Sequence, residues 1–453
     1  MSNPSYNQLQ QTFALNWLSN SLSNVKNTPA QLQKEAEKSI PAVLKDPESV
    51  QLIGEWSVVW GPVMFSNKDN GNKSVADNTM FLAKSASQNT YVLSIAGTNP
   101  ISPYGWFIED FNTGTTQVWP FSADAASQGV KVSTGTYVGI QHLLQMQSNG
   151  QSVVDYLSSI SAAASQQTEL IVTGHSLGGA LSASLALGLK GMQTATYDFK
   201  CINASGSANG QSMSIGSWDS KLNFIVSALP TAGATPGNKA FAFFYDQELG
   251  SRTIRIWNSI DVVPHGWQKD MMLEAPHLYY PHVKPNAAVL ALTNLALLNS
   301  MKSGEDYVQI MEQVAGLQSA VNMQIISPTA VADLLKTMGE GEITKILTFV
   351  ANNILNVIPD NDPDKKWLEM LKGPVINVLA KVILAKFTGT ISQDIINMLP
   401  KGIVAYLEKI YAFFNNLFLF LVQLGYQHVQ AYLQLMEVTA FTNVMTKYKP
   451  QSA

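Results

Sequence analysis

One cysteine, Cys201, stands in a chain of 453 residues, so no internal disulfide framework can exist and cysteine usage favours no redox compartment. Cys201 lies in the strand-like run Phe199 to Ala204 and reads as a small buried hydrophobe. Charge is also scarce. Asp, Glu, Lys and Arg make up 13% of the residues, about half the usual share. The net charge is −4 with no basic cluster, which excludes a nucleic-acid-binding reading. Ahead of Lys26 there is neither a basic start nor an apolar run, so no secretory signal is expected there. Localisation is left open. The stretch Ile410 to Met436 carries no acid, Lys or Arg, yet Asn415, Asn416, Gln423, Gln427, His428, Gln430 and Gln434 make it too polar for a clean transmembrane span. Its most lipid-like part, Leu417 to Val422, reads as core or interfacial contact. No internal repeat or low-complexity segment is present. What is abundant is apolar: 46% hydrophobic residues, with sixteen Met and nine Trp. That composition suits a protein that meets apolar partners, though a large core explains part of it.

The most informative segment is T-G-H-S-L-G-G-A, Thr173 to Ala180. Leu170-Ile171-Val172 before it reads as a short buried strand, and Leu181 to Leu187 after it as a packed helix. G-x-S-x-G at a strand-to-helix junction is a nucleophile elbow, in which small residues let the chain turn sharply and lift the serine hydroxyl above the sheet. The bare motif arises by chance in about one chain in seven at this length. Its setting between strand and helix is what singles out Ser176.

A nucleophilic serine needs an imidazole base, an acid to orient the base, and donors for the oxyanion. Arg252 to Asn258 reads as a strand, and Ser259 to Pro264 follows it. Asp261 therefore sits on a loop leaving a strand's C-terminal end, where open α/β sheets place their chemistry. Six histidines compete for the base. His142 lies in a helical stretch and reads as structural. His175 is expected to point away from the nucleophile and support the turn. His265 shares the loop of Asp261 and reaches Ser176 awkwardly. His277, His282 and His428 remain open on these grounds.

Several segments, taken in order, resemble the class 3 lipases, a family of α/β-hydrolases that includes fungal triacylglycerol lipases and bacterial relatives. Tyr91 to Thr98 resembles the family's strand ending in R-G-T or R-G-S, with Ala96 standing where Arg is usual. Trp106, Glu109 and Asp110 resemble its W-x-x-D segment. Leu229 to Gly233 with Gly237, Asn238 and Phe241 resembles G-S-P-R-V-G-N-x-x-F, and Asn258 to Pro264 resembles N-x-x-D-x-V-P. Together these cover residues 50 to 270. The resemblance implies Ser176 as nucleophile, Asp261 as triad acid, Thr98 as an oxyanion-hole residue and the Leu177 N–H as the second donor. His428, four residues before Tyr432, resembles the family's late H-x-x-x-Y element and is the base it implies. No cofactor or metal is expected. The segment after Thr98, with Tyr104, Trp106 and Phe107, resembles the family's lid and is expected to roof an acyl pocket together with the helical region further on.

The expected architecture is α/β: an α/β-hydrolase with a mostly parallel central sheet plus a large helical insertion or cap. Residues 1–50 read as a helical, polar segment on the outside of the core, with a helix start near Thr28-Pro29-Ala30. Residues 51–284 form the hydrolase core, 285–420 the helical insertion, and 421–453 a C-terminal segment that returns His428 to the core. Within the insertion, Asn286 to Met301, Asp306 to Val321, Pro328 to Met338 and Glu342 to Val357 have helical periodicity. Asp360, Asp362 and Asp364 have calcium-loop spacing, but Lys365 and Leu371 replace the required Gly and Glu, so they read as a helix start. The expectation is a serine ester hydrolase of lipase type, acting on a lipid or other ester, in some cases at a membrane or droplet interface. A phospholipase, an acyltransferase, and a lipid-binding protein on a hydrolase scaffold are its rivals, since a fold alone does not fix a function.

Overall fold

Alternation of apolar side chains to two faces of a sheet organises the molecule. A computed structural model describes residues 4–23, 25–66, 75–97, 112–203, 205–354, 358, 362 and 364–450. Five strands lie side by side in chain order: β1 (Trp56–Phe65), β2 (Asn78–Ser85), β3 (Thr90–Ile95), β4 (Thr168–His175) and β5 (Phe224–Thr231). β1, β2 and β3 pair antiparallel. β3, β4 and β5 pair parallel, so the sheet is mixed and parallel where the elbow sits. Met80, Leu82, Tyr91, Leu93, Leu170 and Val172 face one side, while Phe81, Ala83, Val92 and Ile171 face the other. That is the period of two expected of strands buried on both faces.

Each face is covered by a helix. α1 (Gln8–Ser19) lies on the second face, with Phe13, Leu15 and Leu18 fully buried against it. Its start is set by a capping box in which Asn7 accepts the Gln10 N–H and Gln10 returns an acceptor to the Asn7 N–H. α2 (Leu177–Gly191) follows β4 on the first face and buries Leu181, Leu185 and Leu189. Each such side chain contributes about 1.5–3 kcal/mol by leaving water. Residues 8–45 are thus not a loose polar coat. α1 supplies part of a core layer, and Thr28 caps the helix Pro29–Lys45 behind it.

The run Arg252 to Asn258 falls short of a regular strand. It bridges to β5 at Thr253 and Ile256 only, through bonds such as Ile256 N–H to Pro230 O at 3.0 Å. It still delivers Asp261 to the edge of β5. Asp306 to Val321 is a clearer departure, because its helical spacing does not produce a helix. The segment turns at residues 310–313 and then runs beside Trp257 and Ser259, with Leu317 N–H bonded to Trp257 O at 2.7 Å and Ser259 N–H to Leu317 O at 3.0 Å. Backbone donors committed to the neighbouring chain cannot also close helical turns.

The rest of the late chain is helical: α3 (Ala287–Met301), α4 (Pro328–Ile354), α5 (Pro374–Thr388), α6 (Leu407–His428) and α7 (Thr439–Lys447). α4 joins two expected helices across Gly339, whose φ of 72° breaks the helical path. Leu292, Leu335, Leu347, Leu379, Ile383 and Phe414 form a shared core that leans on Val262, Val263 and Tyr279 of the hydrolase side. Leu417, Phe418, Phe420 and Leu421 of the lipid-like patch are buried in that core. Among the described residues, no helix is long and apolar enough to cross a membrane. Cys201 is buried in the strand Tyr197–Ile202.

Candidate active site

β4 leads straight into Ser176, whose φ of 63° and ψ of −125° lie outside the regions an L-residue normally adopts. Such a conformation costs on the order of 1–3 kcal/mol and persists only when its surroundings over-determine it. Here they do. A Cβ on Gly174 would run into the Gly178 backbone, and one on Gly178 would run into the Ile95 carbonyl, so strand and helix cross at a distance only glycine permits. Ser176 N–H bonds to Thr231 O at 3.0 Å, and Gly179 N–H closes back on Ser176 O at 2.8 Å. The hydroxyl makes no capping bond to α2.

On the far side of the same cavity α6 ends at His428. Its Nδ1 lies 2.8 Å from Asp261 Oδ2, and both side chains are essentially excluded from solvent. A carboxylate can only accept, so this bond fixes the imidazole proton on Nδ1 and leaves Nε2 as the basic nitrogen. Asp261 is held in turn. Its Oδ1 accepts the Val263 N–H at 3.1 Å, and its Oδ2 also accepts the Tyr432 hydroxyl at 2.9 Å. Tyr432 is fully buried, and burial together with the Asp261 charge keeps its phenol pKa well above the ordinary value, so it stays a neutral donor. Its oxygen accepts the Asn258 N–H at 2.8 Å, while Asn258 Nδ2 bonds to Gln427 Oε1 at 2.9 Å. Asn258, Gln427 and Tyr432 thus fasten the end of α6 to the Asp261 loop. None of the three is given a role by the sequence, although the four-residue spacing of His428 and Tyr432 is visible there.

The other histidines lie elsewhere or do other work. His277 and His282 are exposed. His142 is half-buried and stacks on Phe65, ring centroids 4.2 Å apart. His265 bonds through Nδ1 to the Asp261 carbonyl at 2.7 Å. His175 differs from expectation: its Nε2–H bonds to the His428 carbonyl at 2.7 Å, and its ring lines the cavity beside Ser176. The sharp turn at Ser176 swings the preceding side chain under the end of α6 instead of away from it. Leu177 opens α2 directly after Ser176, with its N–H at the helix start. Thr98, Tyr104, Trp106, Phe107, Glu109 and Asp110 lie outside the described residues, as does Asp360.

The cavity has a volume of about 220 Å³. Its described walls include Gly97, His175, Ser176 and His428, with Trp17 and Asn20 from the N-terminal segment and Met445 and Lys449 from the C-terminal one. The helical region 285–420 contributes none of them, contrary to the expectation that it would help roof the pocket. Its buried apolar side chains pack instead into the core shared with Val262, Val263 and Tyr279. Among the described residues no cluster of His, Cys, Asp and Glu could hold a metal ion.

Burial depresses the pKa of His175, reinforced by the neighbouring His428, and burial likewise depresses that of His265. Both stay neutral in the folded protein at pH values where the unfolded chain, with His near 6.5, takes up protons. Stability therefore falls as pH drops below about 6.5, by up to about 1.4 kcal/mol per pH unit for each histidine. Denaturant unfolding between pH 7 and pH 5 measures this. A flat profile would mean that neither imidazole is held neutral.

A mixed sheet, a strained serine at a strand-to-helix turn and a buried His–Asp pair beyond the strands' C-terminal ends define an α/β-hydrolase. Within that class, residues 92–270 match the model of the family Lipase (class 3), and the protein is a serine hydrolase of lipase type. Among solved structures it is similar to M37 lipase, at 22% identity and a TM-score of 0.55, over 85% of this chain and 98% of that one. It is also similar to the lipase from Rhizopus microsporus var. chinensis, at 17% identity and a TM-score of 0.36, over 57% and 68%. Yarrowia lipolytica LIP2 lipase gives 16% and 0.36, over 58% and 75%. No curated protein matches the sequence.

Proposed function

We propose that the protein hydrolyses carboxylic esters of lipids, acylglycerols or related esters, through an acyl-enzyme built on Ser176, His428 and Asp261. The observation that carries this reading is the buried 2.8 Å bond from His428 Nδ1 to Asp261, with His428 and the strained Ser176 lining one cavity. In this reading His428 Nε2 takes the Ser176 proton as Oγ attacks the ester carbonyl. The Leu177 N–H, with a donor from Thr98, stabilises the resulting oxyanion. His428 then passes its proton to the departing alcohol. Water repeats the sequence on the acyl-enzyme, which releases the acid and regenerates Ser176. Asp261 orients the imidazole and steadies the imidazolium. Trp17 and Met445 give the cavity apolar wall suited to an acyl chain.

The test combines two measurements. A fluorophosphonate probe should label Ser176, and p-nitrophenyl esters of short and long acids should be turned over. A protein that binds lipid vesicles but is neither labelled nor active would instead be a lipid binder on a hydrolase scaffold.

Tyr432→Phe tests the support of the acid. It removes a donor to Asp261 and strands the Asn258 N–H in the interior, which costs about 1–3 kcal/mol of stability. With Asp261 less restrained, kcat should fall roughly tenfold, the effect of a misplaced catalytic group. Thermal melting and steady-state kinetics read the two effects. Unchanged values for both would remove Tyr432 from the site.

A further inference from the structure

Three groups flank Ser176: the Thr231 carbonyl that accepts its N–H, the side chain of the preceding His175, and the Gly97 backbone beside the elbow. α1 and the residue after it reach all three residues, Thr231 through its side chain. Asn16, fully buried, lies with Nδ2 3.4 Å from Thr231 Oγ1. Trp17 meets the His175 ring edge-on, centroids 5.1 Å apart at 73°. Asn20, where α1 ends, accepts the Gly97 N–H on Oδ1 at 3.0 Å. Gly97 follows β3 and Ala96, and its backbone lies so close to the elbow that an added Cβ would stand 3.0 Å from Ser176 Cβ. The stretch that Asn20 grips therefore runs beside the elbow with no room for a side chain between them, since one would meet the His175 carbonyl and the serine's β-carbon.

We propose that Asn20 is a positioning residue for Ser176, acting through Gly97. This rests on the proposed function. The physical argument concerns the strain at Ser176. A residue at φ 63° stays in place only while its surroundings leave it no other option. On the α2 side the glycine contacts do this. On the β3 side the contact is Gly97, whose N–H points not to a sheet neighbour but to Asn20. Without that acceptor, Gly97 gains the freedom glycine has on either side of φ = 0, and one wall of the nucleophile's seat loosens. Asn20 also lines the cavity, so loss of its amide removes the constraint where reacting atoms must align. Asn20 and α1 lie outside the matched family segment, residues 92–270.

The experiment measures kcat and KM on a p-nitrophenyl ester for wild type, Asn20→Ala, Asn20→Asp and Ser176→Ala. Asn20→Ala should lower kcat roughly ten- to a hundredfold, since displacement by about an ångström costs that much, while KM moves less than about twofold. Asn20→Asp keeps an oxygen of the same reach for the Gly97 N–H and should hold kcat within about fivefold of wild type. That second variant decides the matter should Asn20→Ala fold poorly. A wild-type kcat in Asn20→Ala overturns the inference and leaves the hydrolase reading standing. So does a raised KM at unchanged kcat, which would make Asn20 only a wall of the pocket, and so does an Asn20→Asp variant as slow as Ser176→Ala. Wild-type protein with no turnover above Ser176→Ala overturns the hydrolase reading itself, and this inference with it.

Discussion

Ser176→Ala should leave a folded protein with no measurable ester hydrolysis. Removing a triad nucleophile costs about a factor of 10⁶ in kcat in a well-studied serine hydrolase, because the base and the acid have nothing left to act on. The fold should survive. The hydroxyl caps nothing in α2, the N–H that bonds to Thr231 belongs to the backbone, and alanine meets the same strain at φ 63° that serine does. Circular dichroism and melting should therefore match wild type while the rate on p-nitrophenyl esters drops by about a factor of 10⁶. Activity within tenfold of wild type would remove Ser176 from the chemistry.

The parts of this site that sequence made legible are those with local causes. The elbow is written in consecutive residues: an apolar strand, three glycines demanded by close crossing, then a packed helix. Asp261 follows the same logic, since it leaves the end of a strand-like run and only the regularity of that run was overstated. His428 has no such local signature. It lies 167 residues beyond Asp261 in the chain, and the residues that dock it, Gln427, Asn258 and Tyr432, make specific hydrogen bonds that no periodicity reports. Asn20 is harder still: its bond to Gly97 spans 77 residues and involves a backbone donor that any residue could carry. Asp306 to Val321 misled in the opposite direction. Ile310, Met311, Val314 and Leu317 recur at helical spacing, but tertiary pairing with Trp257 and Ser259 outweighed that preference. The polar look of residues 1–50 concealed a helix whose buried face completes the sheet's second layer. In α1 the polar residues Gln11, Thr12, Asn16 and Ser19 are buried alongside Phe13, Leu15 and Leu18, so its composition does not betray its burial.

His428→Ala should be about as damaging as the serine change, whereas His277→Ala and His282→Ala should change kcat by less than about threefold, as surface substitutions away from a site do. The contrast follows from where the rings sit. His277 and His282 face solvent, while His428 is buried, bonded to Asp261 and set on the cavity that holds Ser176. Asp261→Asn should fall between them, with a loss of about 10⁴-fold, because an amide donor in place of the carboxylate holds the imidazole in the wrong tautomer. Burial sharpens that expectation, since no water can take over the role of the carboxylate at a residue with no exposed surface. Adding His277→Ala or His282→Ala to Ser176→Ala should cost nothing further, and adding His428→Ala should cost almost nothing, because triad members fail as one unit. Steady-state rates on a single soluble ester decide the ranking. If His277→Ala or His282→Ala silences the enzyme while His428→Ala does not, the residues 285–420 would be an appendage following the catalytic part of the chain. Loss confined to His428→Ala and Asp261→Asn instead makes them an insertion, spanned by the chain so that α6 can bring its last residue back to the serine.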